Sequence, residues 1–109
     1  MLDFAAAAVA VAATQALAAE LSPQAIVWFG SAARGQTHPD SDLDFLIVAP
    51  RSAGGRSALI DRGRRAIWDI PVPIDLLVYY PDEVAERRDA LGSIVKEALR
   101  TGKVVFGHV

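Results

Sequence analysis

Apolar and polar positions divide the chain into runs of different period. Residues 2–20 are mostly alanine, with larger apolar side chains at Leu2, Phe4, Val9, Val11 and Leu17, and Leu21 just beyond. Alanine has the strongest helix preference and nothing breaks the run before Ser22-Pro23, so a helix is expected over 2–20. Its larger residues do not fall on one stripe. Two roles therefore stay open: a small-residue helix packed tightly on a sheet, or a helix whose outer face meets a second copy or a partner.

The remaining elements follow from shorter patterns. Residues 24–29 are apolar with β-branched and aromatic members, a strand. A Gly-Ser pair stops it, residues 31–35 are expected to form a short helical turn, and 36–40 form a polar link. His38 lies in that link with no partner the sequence identifies, and it is not counted as a site residue. Residues 41–49 give a second strand, 50–55 a polar connector with adjacent glycines, and 56–68 a helix with Leu59, Ile60, Ala66 and Ile67 for the core. Pro71-Val72-Pro73 holds the backbone extended ahead of a third strand over 74–80. Pro81-Asp82-Glu83 opens a helix, with proline in its first turn and acids at the positive end of its dipole. Gly92 interrupts, Ser93 caps a further helix to Thr101, Gly102 closes it, and 103–107 add a short edge strand.

The chemistry concentrates between Trp28 and Val48. Side chains alternate along a strand, so Asp42 and Asp44 point one way and Leu43 and Phe45 the other. Two carboxylates on one edge repel unless a cation sits between them, and an Asp inside Leu43-Asp44-Phe45-Leu46-Ile47-Val48 is costly without a ligand. A hard divalent ion such as Mg²⁺, held by carboxylates and substrate phosphates, meets both conditions. Gly30 and Ser31 suit an anion, because glycine allows close backbone approach and N–H groups and a hydroxyl can bind phosphate. Phosphate beside metal suggests a nucleoside triphosphate.

The pattern Gly30-Ser31-x-Ala33-Arg34-Gly35-x5-Ser41-Asp42-x-Asp44 resembles the signature of the nucleotidyltransferase superfamily related to DNA polymerase beta, in its minimal bacterial form. The order of later helices and strands extends the resemblance over nearly the whole chain. It implies an α/β (α+β) nucleotidyltransferase fold, a small mixed β-sheet flanked by helices, filling residues 1–109 as a single domain. It also implies two Mg²⁺ ions, with ATP as nucleotide donor. Asp75 interrupts the third strand; its residues alone leave open an aspartate at a strand mouth near solvent. In the resembled family a third carboxylate comes from this strand, which assigns Asp42, Asp44 and Asp75 as catalytic and metal-holding residues. Gly30, Ser31, Arg34 and Ser41 form the nucleotide-binding set. Within it Arg34 either touches phosphate or holds the loop, and Ser41 orders the loop.

Small proteins of this kind are often antitoxins that add AMP to a tyrosine of a HEPN-domain partner encoded nearby. The resemblance implies that role, with possible self-association through the first helix. Alternatives are a non-catalytic module that neutralises a partner by contact, and transfer to a small molecule such as an aminoglycoside. A chain of 109 residues is expected to hold no separate acceptor-gripping domain, so the acceptor comes on a partner or is small. A net charge of −2 gives no footprint for nucleic acid, and none is expected as a partner. The five arginines Arg51, Arg56, Arg62, Arg64 and Arg65 form the one basic region, read as a solvated helix face, with a surface for phosphate or an acidic partner as the alternative. Cysteine is absent, which removes disulfides, thiolate metal sites and a cysteine nucleophile. The apolar start has no basic leader and is too short to span a bilayer, so a cytoplasmic protein without membrane contact is expected.

Overall fold

The structure, a computed structural model, describes residues 2–35 and 42–109. Helix α1 is Leu2–Leu21, strand β1 Ala25–Phe29, β2 Leu43–Val48, helix α2 Arg56–Ala66, β3 Ile74–Tyr79, α3 Pro81–Arg87, α4 Ile94–Thr101 and β4 Lys103–Gly107. The connector after β2 carries one 3-10 turn, Arg51–Ala53. The architecture is mixed α and β: one sheet in the order β3-β2-β1-β4, flanked by helices. β1 runs antiparallel to both neighbours, and β2 pairs with β3 in parallel.

The alternation of each strand builds two cores. On one face Ile26, Trp28, Leu43, Phe45, Ile47, Leu76 and Val78 pack under α1 and α2. On the other, Ala25, Val27, Phe29, Leu46 and Val48 pack under α3 and α4 through Val84, Val95 and Ala98. β1 and β2 are thus covered on both sides, which is why they read as apolar runs rather than alternating ones.

The buried stripe of α1 is Ala10, Ala13, Leu17 and Leu21, spaced three and four apart, and so is set by alanines as much as by the larger residues. Close approach of α2 follows at Gly63, where a Cβ would lie 2.9 Å from Leu76 Cδ1 and 3.3 Å from Leu17 Cδ2. Leu17 is fully buried at this junction, so Leu17→Ala should lower unfolding free energy by about 3 kcal/mol, read from urea denaturation with an unchanged slope. The opposite side of α1 remains open: Val11, half exposed, borders with Phe106 of β4 an apolar groove of about 610 Å³.

The arginines depart from the expected solvated face. Arg51 holds Asp82 with Nε to Oδ1 at 3.0 Å and Nη2 to Oδ2 at 2.9 Å. Arg56 pairs with Glu83 and donates to the Val78 carbonyl at 2.9 Å. Arg62 donates to the Glu20 carbonyl at 2.6 Å and reaches its carboxylate. Three of the five therefore tie α2 and its connector to α1 and α3, because the fold brings acids distant in sequence against them. Arg56 also occupies the free edge of β3, where an open carbonyl row would otherwise invite strand addition. Among the described residues no helix is long and apolar enough to cross a membrane.

Candidate active site

β2 and β3 begin, and β1 ends, at the same end of the sheet. The register sets Phe29 opposite Asp44, and Asp44 beside Asp75 on the parallel neighbour, a strand spacing of about 4.8 Å away. Leu43, Phe45 and Leu76 fill the α1–α2 core, so alternation turns Asp44 and Asp75 toward the α3–α4 face. Asp42 stands one residue before β2, in line with Asp44, and is exposed. The strand proper starts at Leu43, so alternation does not itself reach Asp42, whose charge nevertheless acts on Asp44.

Electrostatics mark the same spot. Half-buried Asp44 has its pKa raised from 3.8 to about 6, first by burial, then by the charges of Asp75 and Asp42, and by a hydrogen bond with Asp75. Such a bond between two carboxyls needs a proton on one of them. Crowded carboxylates of this kind are relieved either by protonation or by a cation.

Gly30 decides how closely the turn after β1 meets these acids. Its φ is +88°, and a Cβ built there would lie 2.2 Å from Asp44 Oδ2. The Asp44 carboxylate therefore occupies the volume that any other residue at position 30 would fill. Beyond it, residues 31–35 form overlapping turns rather than a helix. Arg34 N–H donates to the Gly30 carbonyl at 3.2 Å and the Ser31 carbonyl at 3.1 Å, and Gly35 N–H to the Ala32 carbonyl at 3.1 Å. These two N–H groups serve the turn itself. Buried Ala32 and Ala33 anchor the turn, leaving Ser31 half-buried beside Gly30 and Arg34 exposed at its outer end. Ser41 and His38 lie outside the described residues.

Among the described residues no group of three or more His, Cys, Asp or Glu side chains is closed around a metal-sized centre. The donors nevertheless fit a hard divalent cation. All are carboxylates, Asp44 and Asp75 are register partners on adjacent parallel strands, and Asp42 is near enough for its charge to act on Asp44. Spacing in the sequence singled out Asp42 and Asp44, and the family resemblance added Asp75. The proximity of Gly30 to the Asp44 carboxylate had no signal there beyond the glycine itself, because it depends on the β1–β2 register.

Comparison with known proteins adds a family. Residues 13–89 match the nucleotidyltransferase domain family. No curated protein matches the chain. Among solved structures, the chain is similar to one from a toxin-antitoxin crystallised with AMP-PNP. The two are 22% identical, the match covers 88% of this chain and 72% of that one, and the TM-score is 0.55. At that identity the likeness is one of fold.

Proposed function

Since the chain belongs to the nucleotidyltransferase domain family, matched over residues 13–89, we propose that it moves a nucleoside monophosphate, AMP from ATP, onto a hydroxyl of a partner protein. The acceptor we favour is a tyrosine of a HEPN-domain toxin, with this chain as its antitoxin, acting in the cytoplasm. The observation that carries the reading is the side-by-side register of Asp44 and Asp75 with Asp42 in line, at the mouth of a glycine-serine turn. The fold neighbour, a toxin-antitoxin crystallised with AMP-PNP, supports the nucleotide and the setting.

In this mechanism Gly30 and Ser31 hold the β- and γ-phosphates. The acceptor oxygen attacks the α-phosphorus in line; the new O–P bond forms as the bond to the β-phosphate bridge breaks, and pyrophosphate leaves. Asp75, the more exposed of the strand pair, takes the hydroxyl proton. Asp44, fixed between Gly30 and Asp75, sets the position of the carboxylate cluster. Two Mg²⁺ ions held by Asp42, Asp44 and Asp75 would neutralise the triphosphate and acidify the acceptor hydroxyl.

Two measurements test the reading. ATP at a hundred times its dissociation constant should stabilise the protein by about 2.7 kcal/mol, seen as a thermal shift that requires Mg²⁺. Incubation with α-labelled ATP, Mg²⁺ and the product of the adjoining gene should leave label on that protein. A tight complex that takes up no label from any nucleoside triphosphate would replace transfer by neutralisation through contact.

A further inference from the structure

Trp68 is 86% exposed, although nothing in the packing requires an indole there. Isolated apolar residues on a surface are ordinary, but tryptophan carries the largest apolar area and is concentrated at binding hot spots. Its place in the fold follows from topology. β2 and β3 are parallel, so α2 must return the chain from the far end of β2 to the start of β3. The C-terminal end of α2, and Trp68 just beyond it, therefore lie at the end of the sheet that carries Asp42, Asp44 and Asp75.

The loop that presents Trp68 is well fastened. Ile67 is buried and Ile70 packs against the same core. Ile67 N–H donates to the Gly63 carbonyl at 3.2 Å, and Ile70 N–H to the Ile67 carbonyl at 3.0 Å. Leu43 N–H, at the start of β2, donates to the Pro73 carbonyl at 3.0 Å. An aromatic ring on such a base loses little freedom on binding.

Arg64 and Arg65 stand in the last turn of α2, and the turn that carries Trp68 closes back on them, Trp68 N–H donating to the Arg65 carbonyl at 3.4 Å. Both are exposed, and no ion pair of the described residues involves either one. Asp61 lies one turn further back and Asp69 follows in the turn, which leaves the arginines as the charges between the ring and the body of α2.

We propose that Trp68, with Arg64 and Arg65, is the docking anchor for the protein that carries the acceptor hydroxyl, whose matching surface is an apolar pocket with carboxylates at its rim. This rests on the reading of transfer to a protein. The position suits an acceptor better than a nucleobase. Asp44 and Asp75 face the α3–α4 side, and the phosphate turn lies at β1, two strands from β3, about 10 Å across the sheet. Trp68 lies instead at the β3 side, on the α1–α2 layer, at the end of the sheet that carries the carboxylates.

The test separates docking from chemistry. Binding of the adjoining gene's product is measured by calorimetry, without nucleotide, for the wild type, Trp68→Ala and the double variant Arg64→Glu/Arg65→Glu. Trp68→Ala should weaken the complex at least tenfold; the charge reversal should also weaken it, by an amount that shrinks as salt rises. The Mg²⁺-dependent thermal shift with ATP should be unchanged in both. Weakened binding stands as support even where the wild type transfers no label, an outcome that would fail only the transfer reading. Equal binding by wild type and Trp68→Ala overturns the docking role, as does a wild type that forms no complex. Loss of the ATP shift in Trp68→Ala would make it a nucleobase contact. Tight binding of single-stranded RNA lost in that variant would make the patch a nucleic-acid surface, and either result overturns the proposal.

Discussion

Asp44→Asn should abolish nucleotidyl transfer while making the isolated protein more stable at neutral pH. The loss of function follows from removing the central charge of the carboxylate set, and a fall of at least about a thousandfold is expected in label transfer. The gain in stability follows from removing a charge that burial disfavours first and the neighbouring charges of Asp75 and Asp42 disfavour further. The folded protein holds the Asp44 proton more tightly than the unfolded chain does, since its pKa stands at about 6 against 3.8. Between those values the native state binds more protons, so this group's contribution to stability is complete below about pH 4 and is lost as pH rises through 6. The full shift would correspond to about 3 kcal/mol, and screening of a half-exposed group reduces that to about 1 kcal/mol. Urea unfolding at pH 8 should therefore favour Asp44→Asn by about 1 kcal/mol, with the difference vanishing near pH 4. A difference that persisted unchanged at pH 4 would sink the account by burial and like charge, and undiminished transfer by the folded variant would remove Asp44 from the mechanism.

Gly30→Ala is the second large effect. A methyl group there would lie 2.2 Å from Asp44 Oδ2 on a backbone with φ at +88°. Strand β2 is paired on both sides, so the carboxylate must give way rather than the backbone. Displacing it by about 1 Å should lower transfer at least about a hundredfold. Stability should fall by about 1–3 kcal/mol from the left-handed backbone alone. Gly92→Ala supplies the comparison: its φ is +77° and nothing lies within 4 Å of the new carbon. That variant should lose about 1 kcal/mol and keep full transfer. Equal losses of transfer in the two variants would show that backbone strain, not contact with Asp44, is what matters.

Local physics explains why most elements were legible. Pro81 at the start of α3, the Ser93 hydroxyl accepting from the Val95 and Lys96 N–H groups at 3.1 and 3.3 Å, and Gly102 after α4 each act within a few residues. The carboxylates were legible for a related reason: a charge within an apolar run is unfavourable wherever the strand is placed. Most boundaries moved by one or two residues; α3 stops at Arg87, well short of Gly92, and α2 ends at Ala66 with a turn after it, because its end is set by where Ile67 meets the core rather than by propensity.

The arginines illustrate the opposite case. Arg51, Arg56 and Arg62 read as a solvated basic face because their acids, Asp82, Glu83 and Glu20, lie 31, 27 and 42 residues away. No periodicity within α2 could reveal partners supplied by other helices.

The sequence by itself determined the order of elements, the glycine-serine turn and the pair Asp42 and Asp44 as candidate acids, with Asp75 added only by the family resemblance, because each depends on the alternation of a strand, the period of a helix or the chemistry of a short motif. Tertiary structure alone decided that β2 and β3 run parallel, placing Asp44 beside Asp75, and that β1 brings Gly30 against Asp44. It also decided that α2 ends with Trp68 at the same end of the sheet. These relations join residues tens of positions apart, and they are fixed only when both faces of the sheet are buried and one register satisfies both cores.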